Sequence, residues 1–456
     1  MYERRSGMQI IFDTLLEKEF EQIYHKLKKI EHETSTEYKK DLELIIQKMV
    51  CFDELPTKLE RENFNVAAID GSGAESILTL NDISIHLLCA SFAADQTVFQ
   101  LGTTKELHLT PTICSNPEGL IRLSLLKETD EQDVWNDFAE FIHKNYGEKL
   151  EIVISNVLES IVRYHYSYLS SNKPLPRLMT QQDIRMKAAE IGLRFDPQSR
   201  PFQDYKNWLV SAKQGNLQKN WFEQFRETLE YSIANALLKT DTTFKYLFID
   251  GSLNMLLGPK QDQPRLASNY LLRNVCDEAF QKGTCVIAVS KTTTIPYIYR
   301  FAKDIQQLFH EEKKWFFRIP IPQDTNTIFH DKELLKLQQD KPHIPPRYAV
   351  TYLYHFSNEV PVLRLDLDFR WWKENIYSSD EEKQKENELI LFQEIDWLAR
   401  DARYYGYFFD LAFAHNSTLV SFPERDLITN QLIDYFAEQG EDAQMFVSPR
   451  KRLGLM

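Results

Sequence analysis

Two short apolar runs in this chain end in the same phrase. Residues 65–70 read NVAAID and residues 245–250 read KYLFID, and each run continues with Gly-Ser. A short apolar run closed by a turn signal is typical of a buried strand. Only 14 of the 456 residues are glycine, so the repeat does not come from a glycine-rich composition. We therefore predict two buried strands that end at Asp70 and Asp250, each followed by a tight turn.

Two such aspartates on adjacent strands would converge on one point. Their carboxylates would repel each other, and each would raise the pKa of the other. Hard divalent cations relieve that repulsion, and carboxylate oxygens are their preferred protein ligands. Each aspartate alone could simply cap a turn, but the repetition of the phrase favours a metal site.

A third carboxylate is expected from an amphipathic helix at 221–239. Its predicted apolar face consists of Phe222, Phe225, Leu229, Ile233 and Ala236. At about 100° per residue, Glu230 flanks this face and Glu227 points more towards solvent. A carboxylate at the edge of a buried face is costly unless it is paired or metal-bound. Glu230 is thus the third candidate ligand, with a solvated flank residue as the alternative.

Three further residues are candidates for the same site. Lys291 follows TCVIAVS, another predicted buried strand, and could touch a scissile phosphate or activate water. Tyr407 and His415 are predicted to share one face of the last helix of the domain, at 407–417. The alternatives are a lysine that extends to solvent at a strand end and a histidine that is merely packed.

Composition excludes several classes of protein. The 54 basic and 67 acidic residues give a net charge of −13, which argues against nonspecific coating of nucleic acid but permits a local acidic metal site. No apolar run approaches the ~20 residues of a membrane span, and the N-terminus lacks a secretory signal. Five scattered cysteines without a CxxC pair argue against a zinc ribbon or a disulfide framework and favour a reducing cytosol.

The order of the acidic residues predicts a fold. A strand with Asp70, a hairpin, a helix with Glu230 and a strand with Asp250 follow the acidic layout of an RNase H-like fold. There, an aspartate of the first strand, a glutamate of the first helix and an aspartate of the fourth strand bind two Mg²⁺ or Mn²⁺ ions.

At this point the sequence resembles the NurA nuclease family. The matching motifs are AAIDGS at Asp70, R-x-x-x-E from Arg226 to Glu230, FIDGSL at Asp250, AVSK at Lys291, and GY with a following AH at Tyr407 and His415. Each motif is short, but together they keep the family order over about 65–420. In the family the tyrosine is usually followed by proline, whereas Phe408 follows it here.

The resemblance implies an α/β fold with an RNase H-like mixed sheet, similar to the Argonaute nuclease domain. It also implies a homodimeric, Mn²⁺- or Mg²⁺-dependent DNA nuclease, with two ions per site, that degrades from 5′ ends and cuts single strands. Its expected partner is HerA, a hexameric DNA-translocating ATPase, in DNA end processing or anti-phage defence. Carried onto this sequence, Asp70, Glu230 and Asp250 would bind metal, while Lys291, Tyr407 and His415 would line the active site.

The predicted organisation has three parts. Residues 1–62 form a helical region, either a partner-binding hairpin or a packing layer. Residues 63–440 form the nuclease domain, with a helical insertion at about 125–220, and residues 441–456 form a basic tail. Further predicted strands lie at 83–93 and 97–101, which form a hairpin, and at 106–113, 347–356 and 360–369; a helix is predicted at 383–404.

Two other functions remain open from the residues alone. Actin-like ATPases and sugar kinases also place Asp-x-Gly phrases after strands, to hold the phosphates of ATP. They need a glycine-rich adenosine loop near the C-terminus, but only Gly406, Gly440 and Gly454 lie beyond residue 300. The second alternative is a catalytically inactive scaffold of an ATPase complex, and the intact acidic set argues against it.

Overall fold

The described residues form a ten-stranded mixed sheet with helices on both faces. The computed structural model describes residues 19–25, 36–52, 64–80, 83–97, 110–111, 122–127, 131–164, 166, 179–190, 218–253, 266–291, 304–305, 313–319, 349–357, 359–401 and 403–440. The strands are β1 (Val50–Phe52), β2 (Phe64–Leu80), β3 (Ile83–Thr97), β4 (Thr110–Pro111), β5 (Arg122–Lys127), β6 (Phe244–Asp250), β7 (Cys285–Ser290), β8 (Lys314–Arg318), β9 (Ala349–His355) and β10 (Leu363–Asp368). They lie in the order β1-β8-β9-β10-β7-β6-β2-β3-β4, and β5 pairs with β3.

The centre of the sheet is parallel. β6 pairs in parallel with β2 on one side and with β7 on the other. Strands in such a position are covered on both faces and are apolar along their whole length, and Cys285–Val289 of β7 are all buried. The predictions of strands at 245–250 and 284–291 are therefore confirmed. β10 runs antiparallel to β7 and β9, which confirms the strands predicted at 347–356 and 360–369.

The predicted turn after Asp70 is wrong, because β2 continues to Leu80. β2 pairs antiparallel with β3 from Phe64 to Leu80, so these two strands form the hairpin. β3 runs on to Thr97 without the predicted turn after residue 93, and residues 98–101 of the strand predicted at 97–101 lie outside the described residues. Gly73, at φ +109°, and two shifts of register after it bend the strand without ending it. Of the strand predicted at 106–113, only the short β4 lies within the described residues.

Besides the helical residues 19–25, the described part of the chain contains ten helices. They are α1 (Thr36–Lys48), α2 (Glu131–Tyr146), α3 (Leu150–Tyr164), α4 (Gln181–Glu190), α5 (Gln218–Leu238), α6 (Leu266–Gln281), α7 (Phe369–Asn375), α8 (Glu381–Leu398), α9 (Phe409–Thr418) and α10 (Phe422–Glu438). α2, α3 and α4 lie in the stretch predicted to be helical. They pack with α5 and α6 over one face of the sheet and so form part of the main hydrophobic core.

The other face of the sheet is covered by α7, α8 and α9. Phe248 and Leu365 of the sheet pack there with Phe392 of α8 and Leu411 of α9. α8 is also fixed by buried acid–hydroxyl contacts. The hydroxyl of Tyr352 donates to Glu388 at 2.9 Å, and that of Tyr354 donates to Asp396 at 3.1 Å. These contacts set the register of α8 on the sheet.

The N-terminal region contributes more than helices. Residues 19–25 and α1 are helical, as predicted, but β1 adds an edge strand beside β8 that the sequence did not indicate. Ile45 of α1 packs with Trp315 and Phe317 of β8 in a small core. For α1 the structure therefore favours the packing layer over the partner-binding hairpin.

The C-terminal helices differ from prediction at their ends. The helix predicted at 383–404 is α8 and ends at Leu398, and the helix predicted at 407–417 is α9 and begins at Phe409. α10 was not predicted, although Ser421 and Glu424 form a capping box at its start. The predicted basic tail at 441–456 lies outside the described residues. No helix in the described part of the chain is long and apolar enough to cross a lipid bilayer.

Candidate active site

The two repeated aspartates lie side by side. β2 and β6 pair in parallel as far as Ile69 and Ile249, so Asp70 and Asp250 are the next residues on adjacent strands. Asp70 is buried, at 3% exposure, because β2 continues beyond it. Asp250 is exposed, because β6 ends there. The convergence that the two apolar runs predicted is therefore present in the structure.

The carboxylate of Asp70 is held at both oxygens. Oδ1 accepts a hydrogen bond from the backbone N–H of Gly71 at 2.7 Å, and Oδ2 lies 2.6 Å from Nδ1 of His415. The hydroxyl of Ser72 also donates to the backbone carbonyl of Thr418, at the end of α9. These contacts bring the C-terminal half of α9 against β2 and place His415 beside the aspartates.

Glu230 reaches the same point from α5. A Cβ built on Gly71 would lie only 2.4 Å from Oε1 of Glu230 and 2.9 Å from its Cγ. Gly71 is therefore the residue that gives the glutamate room, rather than the residue that turns the chain. Glu230 has a side chain that is 12% exposed, and its Oε1 lies 3.1 Å from Nε of Arg226, one helical turn earlier.

The helical-wheel prediction for α5 holds in part. The first four residues of the predicted apolar face are buried, but Ala236 is exposed. Glu227 was expected to point towards solvent and is instead buried, at 4% exposure. The reason is that α5 packs against the sheet and also against α2 and α6, so more than one of its faces is covered.

Burial and repulsion by neighbouring acids perturb the pKa values of Glu230 and Asp250. Desolvation, followed by the charges of Asp70 and Asp250, raises the pKa of Glu230 to about 8, although Arg226 opposes the shift. Desolvation, followed by the charge of Asp70, raises the pKa of Asp250, and Lys291 and His415 oppose that shift. Burial, and then the negative charges of the neighbouring acids, therefore disfavour ionisation of Glu230 and Asp250.

Lys291 and Tyr407 complete the centre. Nζ of Lys291, which follows β7 directly, lies 4.6 Å from the centroid of the Tyr407 ring. The Tyr407 hydroxyl oxygen is buried and has no hydrogen-bond partner within the described ranges. Burial, and then the charges of Asp250 and Asp70, raise the pKa of this phenol.

Tyr407 does not lie on a helix, which corrects the prediction that it shares a helical face with His415. It belongs to the loop before α9, which begins at Phe409. The next residue, Phe408, is buried and stacks on Phe248 of β6, with ring centroids 4.4 Å apart. Gly406, at φ +85°, starts this segment in a conformation that favours glycine. The loop is thereby fixed over the end of β6.

Pairwise contacts and charge interactions therefore connect the six candidate residues near the ends of β6 and β7 and the adjoining part of β2. Three carboxylates from two strands and a helix form the all-oxygen donor set that suits Mn²⁺ or Mg²⁺. Among the residues that the structure describes, no three acidic, histidine or cysteine side chains are already arranged to enclose a metal ion. Asp70 faces His415 and Glu230 faces Arg226, so two of the three acids are paired with bases of the protein.

One neighbour of the candidate site, Arg226, was noted in the sequence only as part of the R-x-x-x-E motif. Arg226 was not a candidate site residue, yet it is the counterion of Glu230 and one of the bases that act on Asp250. Its spacing of four residues before Glu230 on a helix is the signal that could have assigned it.

Comparisons with known proteins point to one family. A family model described as the NurA domain matches residues 64–418, which include all six candidates. A search of curated proteins gave no match. Among solved structures, the NurA nuclease from Sulfolobus solfataricus aligns with 14% identity over 95% of this chain and 98% of its own, at a TM-score of 0.41. A NurA bound to dAMP and manganese aligns with 14% identity over 90% of this chain and 94% of its own, at a TM-score of 0.32.

Proposed function

Because this chain belongs to the NurA family, we propose that it is a metal-dependent DNA nuclease. The observation that carries the proposal is the meeting of Asp70, Glu230 and Asp250 at one point. The charges of Asp70 and Asp250 add to desolvation in raising the pKa of Glu230, and the charge of Asp70 adds to it for Asp250; a bound divalent cation would relieve this repulsion. A centre built only for stability would gain nothing from such repulsion.

The donor set fits Mn²⁺ or Mg²⁺, and we propose two ions held by Asp70, Glu230 and Asp250. Such ions supply a nucleophilic water and neutralise charge on the scissile phosphate. Three other side chains of the protein have separate roles. His415 fixes the orientation of Asp70, at 2.6 Å. Lys291 offers a positive charge to the phosphate, and the buried hydroxyl of Tyr407 offers it a hydrogen bond.

We also propose that the core is RNase H-like, similar to the Argonaute nuclease domain. The sequence of elements supports this assignment: β2 with Asp70, the antiparallel hairpin with β3, α5 with Glu230, and β6 with Asp250 parallel to β2. This is the order of strand, hairpin, helix and strand that the acidic residues of such a fold occupy.

Our proposal extends to the biological setting through the family resemblance. The substrate is DNA, which is degraded from 5′ ends and cut within single strands, and the protein acts as a homodimer. Its partner is a HerA-type hexameric ATPase, in DNA end processing or anti-phage defence. The net charge of −13 supports dependence on a partner that holds the DNA. Among the described residues, Cys89, Cys276 and Cys285 are buried free thiols, which supports a cytoplasmic location.

The test is cleavage of end-labelled single- and double-stranded DNA with Mn²⁺, Mg²⁺ or EDTA, with and without the ATPase. We expect cleavage that requires the metal and is lost in Asp70→Ala, which also controls for contaminating nucleases. Cleavage that persists in Asp70→Ala would contradict the site. No cleavage under any condition, ATPase included, would contradict the nuclease function and favour the scaffold.

A further inference from the structure

The three residues after Asp250 form a loop that is tied to two neighbouring strands. On the side of β7, the N–H of Gly251 donates to the carbonyl of Val289 at 3.0 Å. The hydroxyl of Ser290 donates to the carbonyl of Gly251 at 2.5 Å. Gly251, the residue after Asp250, is thus held at both its N–H and its carbonyl group.

On the other side the loop is tied to Asp366 of β10, which is fully buried. Oδ2 of Asp366 accepts hydrogen bonds from the hydroxyl of Ser252 at 2.6 Å and from the N–H of Leu253 at 3.1 Å. Oδ1 accepts a hydrogen bond from the hydroxyl of Thr351 on β9, at 2.7 Å. One buried carboxylate therefore joins β9, β10 and the loop that carries on from the metal-site aspartate.

Arg364 compensates the charge of Asp366. Its Nε lies 2.9 Å from Oδ1 and its Nη2 lies 2.9 Å from Oδ2, so the pair is bidentate. The same Nη2 donates to the hydroxyl of Ser252 at 3.1 Å. Arg364 is itself almost buried, and its neighbour across the sheet is Ser290, at the end of β7.

A buried ion pair of this kind adds little stability over an apolar pair of the same size. Its contribution here is geometric, because hydrogen bonds to a charged carboxylate orient the donors of Ser252 and Leu253. Gly251 lies at φ +108° between Asp250 and these donors, so the backbone at this point is free to take other conformations unless it is held.

We propose that Asp366, supported by Arg364, is a positioning residue for the metal site. It holds the Ser252–Leu253 segment and thereby sets the backbone that aims the Asp250 carboxylate. This inference rests on the proposed function, since it assigns Asp250 to metal binding. Partners that orient metal ligands change metal affinity or activity by about 10–100-fold when they are removed.

The test uses the full-length protein and two matched substitutions, each of which removes one hydrogen bond to the carboxylate of Asp366. Ser252→Ala removes the hydroxyl that ties the loop to Asp366, and Thr351→Val removes a hydroxyl that ties only β9 to it. Ser252→Thr keeps the hydroxyl and serves as the rescue. The readouts are hydrogen exchange of the Asp250–Leu253 segment without metal, Mn²⁺ affinity by calorimetry, and DNA cleavage.

For Ser252→Ala we expect faster exchange at Leu253 and a loss of Mn²⁺ affinity and cleavage of about 10-fold or more. Asp366→Asn should show a larger loss in the same direction. Thr351→Val should keep Mn²⁺ affinity within about twofold, because Arg364 still holds both oxygens of Asp366. Ser252→Thr should return all three readouts towards those of the wild type.

Four outcomes decide between this inference and the proposed function. Normal exchange, Mn²⁺ affinity and cleavage in a folded Ser252→Ala protein would overturn the positioning role alone. Equal losses in Thr351→Val would also overturn it, because they would report a general loosening of the sheet. A wild-type protein that binds Mn²⁺ but never cuts DNA would overturn the nuclease function, and one that binds no Mn²⁺ would overturn both.

Discussion

Gly71→Ala should inactivate the nuclease without unfolding it. The added methyl carbon would lie 2.4 Å from Oε1 of Glu230. A carbon–oxygen contact is normally about 3.3 Å or longer, so the carboxylate must retreat by roughly 0.9 Å. A misplacement of about 1 Å in an active site can cost on the order of 100-fold in rate. We therefore expect cleavage to fall about 100-fold.

The effect on stability should be modest. The close atoms, Oε1, Cγ and Cδ, all belong to the one side chain of Glu230 and not to backbone, and Gly71 lies in β2 without a positive φ. Overpacking of this kind costs about 1–3 kcal/mol. Gly147→Ala, between α2 and α3, is the matched control. It forces a non-glycine residue to φ +85° at about 1–2 kcal/mol, but its methyl would have no neighbour within 4 Å.

The assay compares both variants by thermal unfolding, Mn²⁺ affinity and DNA cleavage under single-turnover conditions. Both should lose a few degrees in Tm, but only Gly71→Ala should lose Mn²⁺ affinity and cleavage. In a Glu230→Gln background, adding Gly71→Ala should cause no further loss, since the ligand it displaces is already gone. A folded Gly71→Ala protein with normal cleavage would refute the placement of Glu230, as would full additivity with Glu230→Gln.

Four other predictions follow from the site and the core. Asp250→Asn should abolish Mn²⁺-dependent cleavage with little change in Tm, because it removes charge but little volume; wild-type cleavage would contradict its assignment. In the folded protein the pKa of Glu230 is raised to about 8, against about 4.5 in the unfolded chain. Stability of the metal-free protein should therefore fall as pH rises from about 4.5 to about 8, and Glu230→Gln should flatten this dependence in thermal unfolding. His415→Asn should lower the cleavage rate because it releases the Asp70 carboxylate, while Tm should change little. Equal cleavage rates in the wild type and in His415→Asn would exclude a role for the 2.6 Å contact. Trp372→Ala should lower the free energy of unfolding by about 3–5 kcal/mol in chemical denaturation, because its side chain is fully buried in the core under α8.

The sequence was sufficient to predict that Asp70 and Asp250 lie side by side, because the signals for it are local. An apolar run that ends in aspartate identifies a buried strand and its final residue without any tertiary information. Two such runs predict neighbours, and Asp70 and Asp250 do lie on adjacent parallel strands. The same local reasoning fails after Asp70, because Gly71 and Ser72 look like a turn. The strand continues there, since β3 offers it a partner and Glu230 needs the space above the glycine.

Other features depend on contacts between distant parts of the chain. A helical wheel assumes one covered face, so it placed Glu227 towards solvent although α2 and α6 cover that side of α5. Tyr407 follows a glycine with positive φ, and periodicity alone extended the helix back over it. The tie from Asp366 to Ser252 joins residues 114 positions apart, so no local pattern could have indicated it.

The contact between His415 and Asp70 also has a consequence during translation of the protein on the ribosome. The two residues are 345 positions apart. At about 5–20 residues per second, roughly 20–70 seconds pass between the synthesis of the first and that of the second. During this time the emerging chain carries the acidic residues without the histidine that orients Asp70. Fragments that end before α9 lack His415, so we expect the proposed cleavage activity to arise only after α9 has been synthesised.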